Sequence, residues 1–391
     1  MIEGAVRIVG GREKKLHHGY PWVQRGEISE VIGSPTPGAL VRVLSHQGEF
    51  VGIGTYNPHS RFPVRLLTLN EEPIDRSFFE ARLERALRYR QQVVHGTNAM
   101  RLLFSESDGV AGLIVDQYAD YLVVQVRTLG MERLKGLWLP VLIERLEPRG
   151  IIERSEMAGR SEEGLEPFAG TLYGEVPELI EIEESGLQFL VPTDVGRKTG
   201  FYLDQRENRR KLAQRVRPGE RVLDLFCYTG AFALYAARAG AEAIGVDILP
   251  EAIDLAKQHA QRNRLHAEWV VDNAFEWLPR AVEQGLRFHW IVIDPPAIAK
   301  RQEQKDSLRW AIWKLVYHAL PLLEPCGQLV VCSCAYALGI ADMLDVVRLA
   351  ATDRNTSLYL EEITLQAPDH PYLLQFPESL YLKCLWLRVQ A

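Results

Sequence analysis

Beyond residue 220 the chain repeats one pattern: a short, nearly unbroken apolar run, a polar residue at its end, then a longer stretch with helical spacing. The runs are Arg221-Val-Leu-Asp224, Ala243-Ile-Gly-Val-Asp247, Glu268-Trp-Val-Val-Asp272, Trp290-Ile-Val-Ile-Asp294 and Gly327-Gln-Leu-Val-Val-Cys-Ser-Cys334. Runs without alternation suit strands covered on both faces, and their alternation with helices predicts an α/β sheet of parallel strands. Pro250 is placed to open one helix, whose Ile253, Ala256 and Ala260 share a face. Two late β-type stretches, 357–366 and 380–389, have no long helix between them and predict an antiparallel pair closing the sheet.

The earlier part of the chain is patterned differently. Residues 1–70 carry short β-type runs, such as Ala39-Leu-Val-Arg-Val-Leu44 and Glu49-Phe-Val-Gly-Ile-Gly-Thr55, broken by turn residues. They predict a small barrel-like domain. Residues 71–185 begin with a helix, with Ser77 as N-cap and Phe79, Leu83, Leu87 and Tyr89 at helical spacing. The runs Gly112-Leu-Ile-Val-Asp116, Tyr121-Leu-Val-Val-Gln-Val126 and Gly150-Ile-Ile-Glu-Arg154, with a helical stretch over 131–146, make this a central α+β domain. The boundaries expected are therefore 1–70, 71–185 and 186–391.

Composition narrows the setting. The chain has 391 residues, 47% hydrophobic and 25% charged, which is ordinary for a soluble globular protein. No apolar run approaches the roughly 20 residues that span a bilayer, and the N-terminus lacks the order of a signal peptide. Five cysteines without metal-type spacing predict free thiols in a cytoplasmic protein with no metal site. The net charge of −6 excludes indiscriminate coating of nucleic acid. Residues 1–70 are nevertheless basic, with eight Lys/Arg against five Glu. There Arg12, Lys14 and Lys15 stand beside His17-His18-Gly-Tyr-Pro-Trp22, a mixture of cations and rings that suits RNA. It also suits a solvated turn next to a core tryptophan. The acidic run 178–184 reads as a solvated surface.

The strand ends carry the chemistry. In an open α/β sheet, ligands lie beyond the carboxyl ends of the strands. The first strand-to-helix turn, Asp224-Leu-Phe-Cys-Tyr-Thr-Gly230, has one glycine and starts with an acid. A dinucleotide site needs G-x-G-x-x-G to approach a pyrophosphate, and Asp224 would repel that anion. It would attract the α-ammonium of S-adenosylmethionine, with Phe226, Cys227, Tyr228 and Gly230 forming the turn around it. Asp247, 23 residues on, is placed to meet ribose hydroxyls, with Ile248 beside it. Asp272-Asn273 can serve adenine. A lone acid at a strand end is also a common helix cap.

Asp294-Pro295-Pro296 is a rigid turn, because two prolines fix φ and remove two donors. Such a turn can bracket a flat base without specifying which atom is methylated. Carbon 5 of cytosine needs help that an exocyclic amine does not: a thiolate adding to carbon 6 makes carbon 5 nucleophilic. Cys332 and Cys334 share a strand face, and Cys334 is nearer the rim. Its thiol would need positive potential nearby. Both cysteines could equally be buried small hydrophobes.

The parallel sheet with its antiparallel finish resembles class I methyltransferases, and the motifs make the likeness narrower. Gly11-Arg-Glu-Lys-Lys15, Glu106-Ser-Asp-Gly-Val-Ala-Gly-Leu113, Lys198-Thr-Gly-Phe-Tyr-Leu-Asp-Gln-Arg206, Phe226-Cys-Tyr-Thr-Gly230, Asp294-Pro-Pro296, Cys332-Ser-Cys334 and Asp369-His-Pro371 span nearly the whole chain. Together they resemble the PUA-domain-containing 23S ribosomal RNA cytosine-5 methyltransferases. The resemblance implies a β-barrel PUA domain that binds RNA, a central α+β domain, and a Rossmann-like seven-stranded methyltransferase domain.

It further implies Cys334 as nucleophile and Asp294 as the acid that meets the cytosine N3/N4 edge. Lys198, Tyr202 and Asp204 would line the cofactor pocket with Asp224, Gly230, Asp247 and Asp272. The residue after Asp-Pro-Pro, often Lys in that family, is Ala297 here, and Lys300 is the nearest substitute. Ribosomal RNA as partner and a homodimer are implied as well. A methyltransferase acting on a guanine nitrogen without a covalent step, or an RNA-binding assembly factor, remain as alternatives.

Overall fold

A computed structural model of the chain describes residues 2–157, 159–193, 200–296 and 305–390. They form two compact units. One comprises Met1–Gly186, Val191–Leu203 and Pro368–Ser379; the other comprises Leu187–Leu190, Asp204–Ala367 and Leu380–Ala391. Among the described residues no helix is long and apolar enough to cross a membrane.

Two sheets lie wholly in the N-terminal unit, and the strand Leu179–Glu184 of a two-stranded sheet belongs to it as well. In the first, of six strands, Trp22–Val23, Val64–Thr68, Phe50–Tyr56, Ala39–Leu44, Ile2–Ile8 and Ile28–Gly33 lie side by side in that order. Only Ile2–Ile8 and Ala39–Leu44 run parallel. Val6, Ile8, Val41, Val43, Val51 and Val64 form its core. The second sheet orders Phe168–Gly174, Gly150–Ser155, Tyr121–Val126, Leu113–Tyr118 and Ala99–Phe104. Its parallel step, from Tyr121–Val126 to Gly150–Ser155, is bridged by two helices, Leu129–Arg133 and Lys135–Leu146, where one was expected.

The helix Arg76–Val93 departs from expectation at both ends. Asp75, not Ser77, is the N-cap: its carboxylate accepts from Phe78 N at 3.2 Å and also from the Ser77 hydroxyl. Tyr89 is exposed, and Arg90 is buried in its place. The Arg90 guanidinium makes a two-pronged pair with Asp108 at 2.7 Å and donates to the carbonyls of Arg101 and Asp369 at 2.9 Å. Asp369 also accepts from Arg101 N, and Arg101 pairs with Asp116 at 2.7 Å. A polarity pattern cannot foresee a buried arginine whose three side-chain nitrogens are all met by residues far along the chain.

The second unit is the α/β sheet. Its strands are β1 (Arg221–Leu225), β2 (Glu242–Asp247), β3 (Glu268–Val271), β4 (Phe288–Ile293), β5 (Leu323–Ser333), β6 (Leu358–Leu365) and β7 (Lys383–Val389). Their order is β3-β2-β1-β4-β5-β7-β6, parallel from β3 to β5, with β7 antiparallel to both neighbours. The helices are α1 (Arg206–Arg215), α2 (Ala231–Arg238), α3 (Pro250–Arg262), α4 (Ala274–Glu283), α5 (Lys305–Ala319) and α6 (Ile340–Asp353).

Side chains of β1, β4 and β5 alternate between two cores. Leu223, Ile291 and Leu329 pack with α4, α5 and α6, while Val222, Val292 and Val330 pack with α1 and α2. Truncating one of these fully buried branched side chains to Ala should cost about 2–5 kcal/mol. Pro250 does open α3, and Ile253, Ala256 and Ala260 are buried.

Candidate active site

The carboxyl ends of β1, β2 and β4 deliver three carboxylates. After β1 the backbone enters left-handed territory at Phe226 (φ 61°), Tyr228 (φ 48°) and Gly230 (φ 79°). Side-chain-bearing residues rarely adopt such angles, and clusters of them mark functional turns. At Gly230 a Cβ would lie 2.3 Å from the Trp269 ring, so only glycine fits. Tyr228 N donates to Asp247 Oδ2 at 2.8 Å, and Leu249 N donates to Oδ1 at 3.0 Å.

His259 of α3 fixes the turn from behind. Its Nδ1 donates to Thr229 O at 3.0 Å and its Nε2 accepts from Leu190 N at 2.8 Å. Burial lowers its pKa to about 4, so it is a neutral strut. Cys227 is a core residue: it is buried, and a Cβ at Gly245 would come within 3.0 Å of its sulfur.

Asp224 is buried, with Oδ2 accepting from Ala233 N at 3.0 Å. Its Oδ1 has no hydrogen-bond partner among the described residues. Burial pushes this carboxyl well above the usual range against the pull of the Ala233 N–H, and nearby Asp294 pushes the same way. A buried carboxylate oxygen without a donor is costly unless a cation completes it. The cleft therefore fits the ammonium of an amino-acid moiety.

Asp294 follows β4, partly buried, and accepts from the Gln205 amide at 3.0 Å. Burial and the neighbouring Asp204 raise its pKa to about 7. Asp204 accepts from the Tyr381 hydroxyl at 2.8 Å, and its Oδ1 is buried without a partner among the described residues. The buried Arg209 of α1 acts electrostatically on both Asp224 and Asp294. Gln205 is itself held by Asn208 at 2.6 Å. Gln205 lies within the Lys198–Arg206 motif without a role assigned to it there, and Arg209 lies in none of the motifs, because its place comes from helix packing. Pro295 is buried and Pro296 exposed.

The two cysteines part company. Cys332 is 0% exposed and pairs across β7 with Cys384, itself buried. Burial pushes its thiol well above the ordinary value. Cys334, just past the end of β5, is only half-buried. Parallel register sets Ile293 beside Val331, so Asp294 and Cys334 emerge from neighbouring strand ends.

Other expected site residues are less engaged. Asp272 pairs with the Arg280 side chain and accepts from Asn273 N at 2.8 Å. Asn273 caps α4 by accepting from Phe275 N at 3.0 Å. It also lines a cavity of about 690 Å³ between α4 and α5, with Phe275, Glu276, Trp310 and Lys314. Ile248 and Tyr202 are exposed, and Tyr202 falls in the N-terminal unit. Lys198, Ala297 and Lys300 lie outside the described residues.

In the N-terminal unit Lys15 is tied to Glu27 at 2.6 Å and lies over the Tyr20 ring, while Arg12 and Lys14 are exposed. Trp22 stacks on Phe62 (4.1 Å between ring centroids), and its indole N–H donates to Glu106 at 2.8 Å.

Comparison with known proteins agrees with this architecture. Residues 6–69 match the PUA-like domain family, and residues 217–368 match a methyltransferase domain family. A structure from Streptococcus mutans, described as a candidate SAM-dependent methyltransferase, superposes with a TM-score of 0.85 at 22% identity, covering 100% of both chains. Another methyltransferase-type structure, holding SAH, gives 0.86 at 23% identity, again over 100% of both. These two share the fold. Among sequences, the ribosomal RNA large subunit methyltransferase I of Shewanella amazonensis is 38% identical over 393 residues, covering 98% of this chain and 99% of its own. The protein of the same name from Vibrio cholerae is 36% identical over 388 residues, covering 97% and 98%. A PUA-like domain, a cleft suited to S-adenosylmethionine and end-to-end likeness of this degree place the chain in the ribosomal RNA large subunit methyltransferase I family, whose members depend on S-adenosylmethionine.

Proposed function

We propose that this protein methylates carbon 5 of a cytidine in large-subunit (23S) ribosomal RNA, through a transient bond between Cys334 and carbon 6 of the base. The observation that carries this is the half-buried thiol just past β5, next to the strand end that bears Asp294, while Cys332 is sealed. The large-subunit RNA as substrate follows the names of relatives that match over nearly the whole chain.

When bound, S-adenosylmethionine supplies an electrophilic methyl group. The free Oδ1 of Asp224 would accept from its ammonium, and the turn 226–230 would bring Phe226, Tyr228 and Gly230 against it. Asp247 would accept from ribose hydroxyls, and Asp272 with Asn273 would meet adenine. On the substrate side, the Cys334 thiolate adds to carbon 6. Asp294, protonated near neutrality, donates to N3 as charge builds on the ring, while Gln205 holds its other oxygen. Loss of the carbon 5 proton then expels the thiolate. Pro295 and Pro296 would flank the base. Exposed Arg12 and Lys14, with the less available Lys15, would meet RNA phosphates. A homodimeric, cytoplasmic enzyme fits this role.

RNA carrying 5-fluorocytidine at the target tests the reading, since fluorine cannot leave as a proton does. A stable protein–RNA adduct should form with the wild-type protein and vanish in Cys334→Ala, which should still bind S-adenosylhomocysteine. Full turnover by that variant would end the covalent assignment.

A further inference from the structure

The turn after Cys334 carries a side chain with no part in the scheme above. Tyr336 is 65% exposed, the most exposed aromatic side chain among the described residues. Ring surface left in water forgoes the stabilisation of burial, yet the backbone beneath this ring is firmly held. Ala335 and Leu338, on either side of it, are buried. The carbonyl of Ala335 accepts from Leu338 N at 3.3 Å and from the ammonium of Lys383, itself buried at the start of β7, at 2.8 Å. Gly339 N then donates to Asp342, in the first turn of α6, at 3.1 Å. Tyr336 therefore leaves the backbone from a fixed point, and a partner that meets it has little loop disorder to overcome.

That point borders the reactive residues. The Tyr336 and Tyr381 rings lie 6.2 Å apart, centroid to centroid, and 42° from parallel. The Tyr381 hydroxyl donates to Asp204 at 2.8 Å, and the adjoining Gln205 donates to Asp294 at 3.0 Å. Tyr381 and Cys334 pack against the same core, the one shared with α1 and α2. The ring that meets Tyr381 thus stands on the thiol's side of the sheet, and all of these residues belong to the catalytic unit.

A base that reacts through its ring must leave its stack, and its neighbour in the strand then loses one stacking face. A thiol adding to carbon 6 approaches from above the ring plane, so Cys334 occupies the face of the reacting base. An aromatic ring two residues further on is placed for the neighbour. Every base has a flat face, and aromatic side chains take up unstacked bases through it. We infer that Tyr336 is the stacking platform for the nucleotide next to the target, an unpaired base of the RNA substrate. The ring binds substrate and takes no part in bond making. This inference rests on the reading of Cys334 as the nucleophile of an RNA methyltransferase, but its first test is a binding measurement.

The probe is an in vitro transcript of 23S ribosomal RNA, bound to the full-length protein with S-adenosylhomocysteine present and measured by filter retention. Tyr336→Ala and Tyr336→Leu should each raise the RNA Kd about tenfold, the scale of one lost base–aromatic stack, while Tyr336→Phe should stay within about twofold. Calorimetric affinity for S-adenosylhomocysteine should be the same in all three, which shows that each is folded. The slope of log Kd against log salt should not change, because no cation has been removed. In turnover, KM for RNA should rise with Kd while kcat holds. An RNA Kd for Tyr336→Ala equal to that of wild type would overturn the inference, and so would a Phe variant as weak as Ala. Normal binding with a fall in kcat would overturn it equally, by moving Tyr336 onto the reacting base. Failure of the cytosine assignment looks different: the transcript is bound, and 5-fluorocytidine yields no adduct.

Discussion

Arg90 in the N-terminal unit and Asp224 in the catalytic unit are both ionisable groups removed from water, but their surroundings are opposite in kind. Arg90 meets a carboxylate with Nη1 and Nη2, and two backbone carbonyls with Nε and again Nη2. Asp224 receives one backbone N–H and keeps an oxygen with no partner among the described residues. Asp204 shows the same deficit, and Asp294 is raised to about 7. Completed networks hold a structure in place, while incomplete ones in a cleft await a ligand. The Glu106–Leu113 and Asp369–Pro371 motifs thereby gain a structural meaning: Asp108 and Asp369 are halves of the Arg90 clamp, and Glu106 receives Trp22 and Arg65.

The contrast can be broken in several places. The largest effect should come from Arg90→Met, which strands a buried Asp108; urea unfolding should show a loss of about 3–5 kcal/mol. If stability were unchanged, the clamp would not be structural. Asp224→Asn should weaken S-adenosylhomocysteine binding by about 2–3 kcal/mol in calorimetry, the worth of a hydrogen bond to a charged group. Its melting temperature should hold or rise, because a costly buried carboxylate is gone. A variant that binds normally would remove Asp224 from the cofactor site.

Asp294 gives a pH signature. Its pKa is raised in the fold, so the folded chain keeps a proton that the unfolded chain releases, and stability falls as pH climbs from about 4 through about 7. Melts of Asp294→Asn should lack that decline, and wild-type turnover should fall above about pH 7 as the donor is lost. Parallel melting curves would refute the shift. The smallest effect is expected at Arg154, the exception in the N-terminal unit. It is buried, none of its side-chain nitrogens has a hydrogen-bond partner among the described residues, and Glu156 is 3.7 Å away. Arg154→Met should leave thermal stability unchanged or slightly raised; a large loss would reveal a partner for that charge.

Much of the catalytic unit was legible because strand periodicity and strand-end acids are local signals. The runs ending at Asp224, Asp247 and Asp294 became β1, β2 and β4, and Cys334 stands at the rim while Cys332 does not. What escaped notice depends on pairing across long separations. Gln205 reaches Asp294 over 89 residues, and His259 supports Thr229 over 30. Lys383 meets the carbonyl of Ala335 only because β7 lies against β5. Asn273 shows the reverse limit: a residue type fit for adenine is also the cap of α4, and the sequence expresses both equally.

The position of β7 also bears on how the protein is made. It follows β6 in the chain but lies between β5 and β6 in the sheet. A nascent chain that has reached β6 still presents β5 with an open edge, apolar and ready to pair with a stranger. The hazard persists until residue 389 has left the ribosome. Translation thus closes this aggregation-prone edge in a single late event, after an interval in which chaperones would have most to protect.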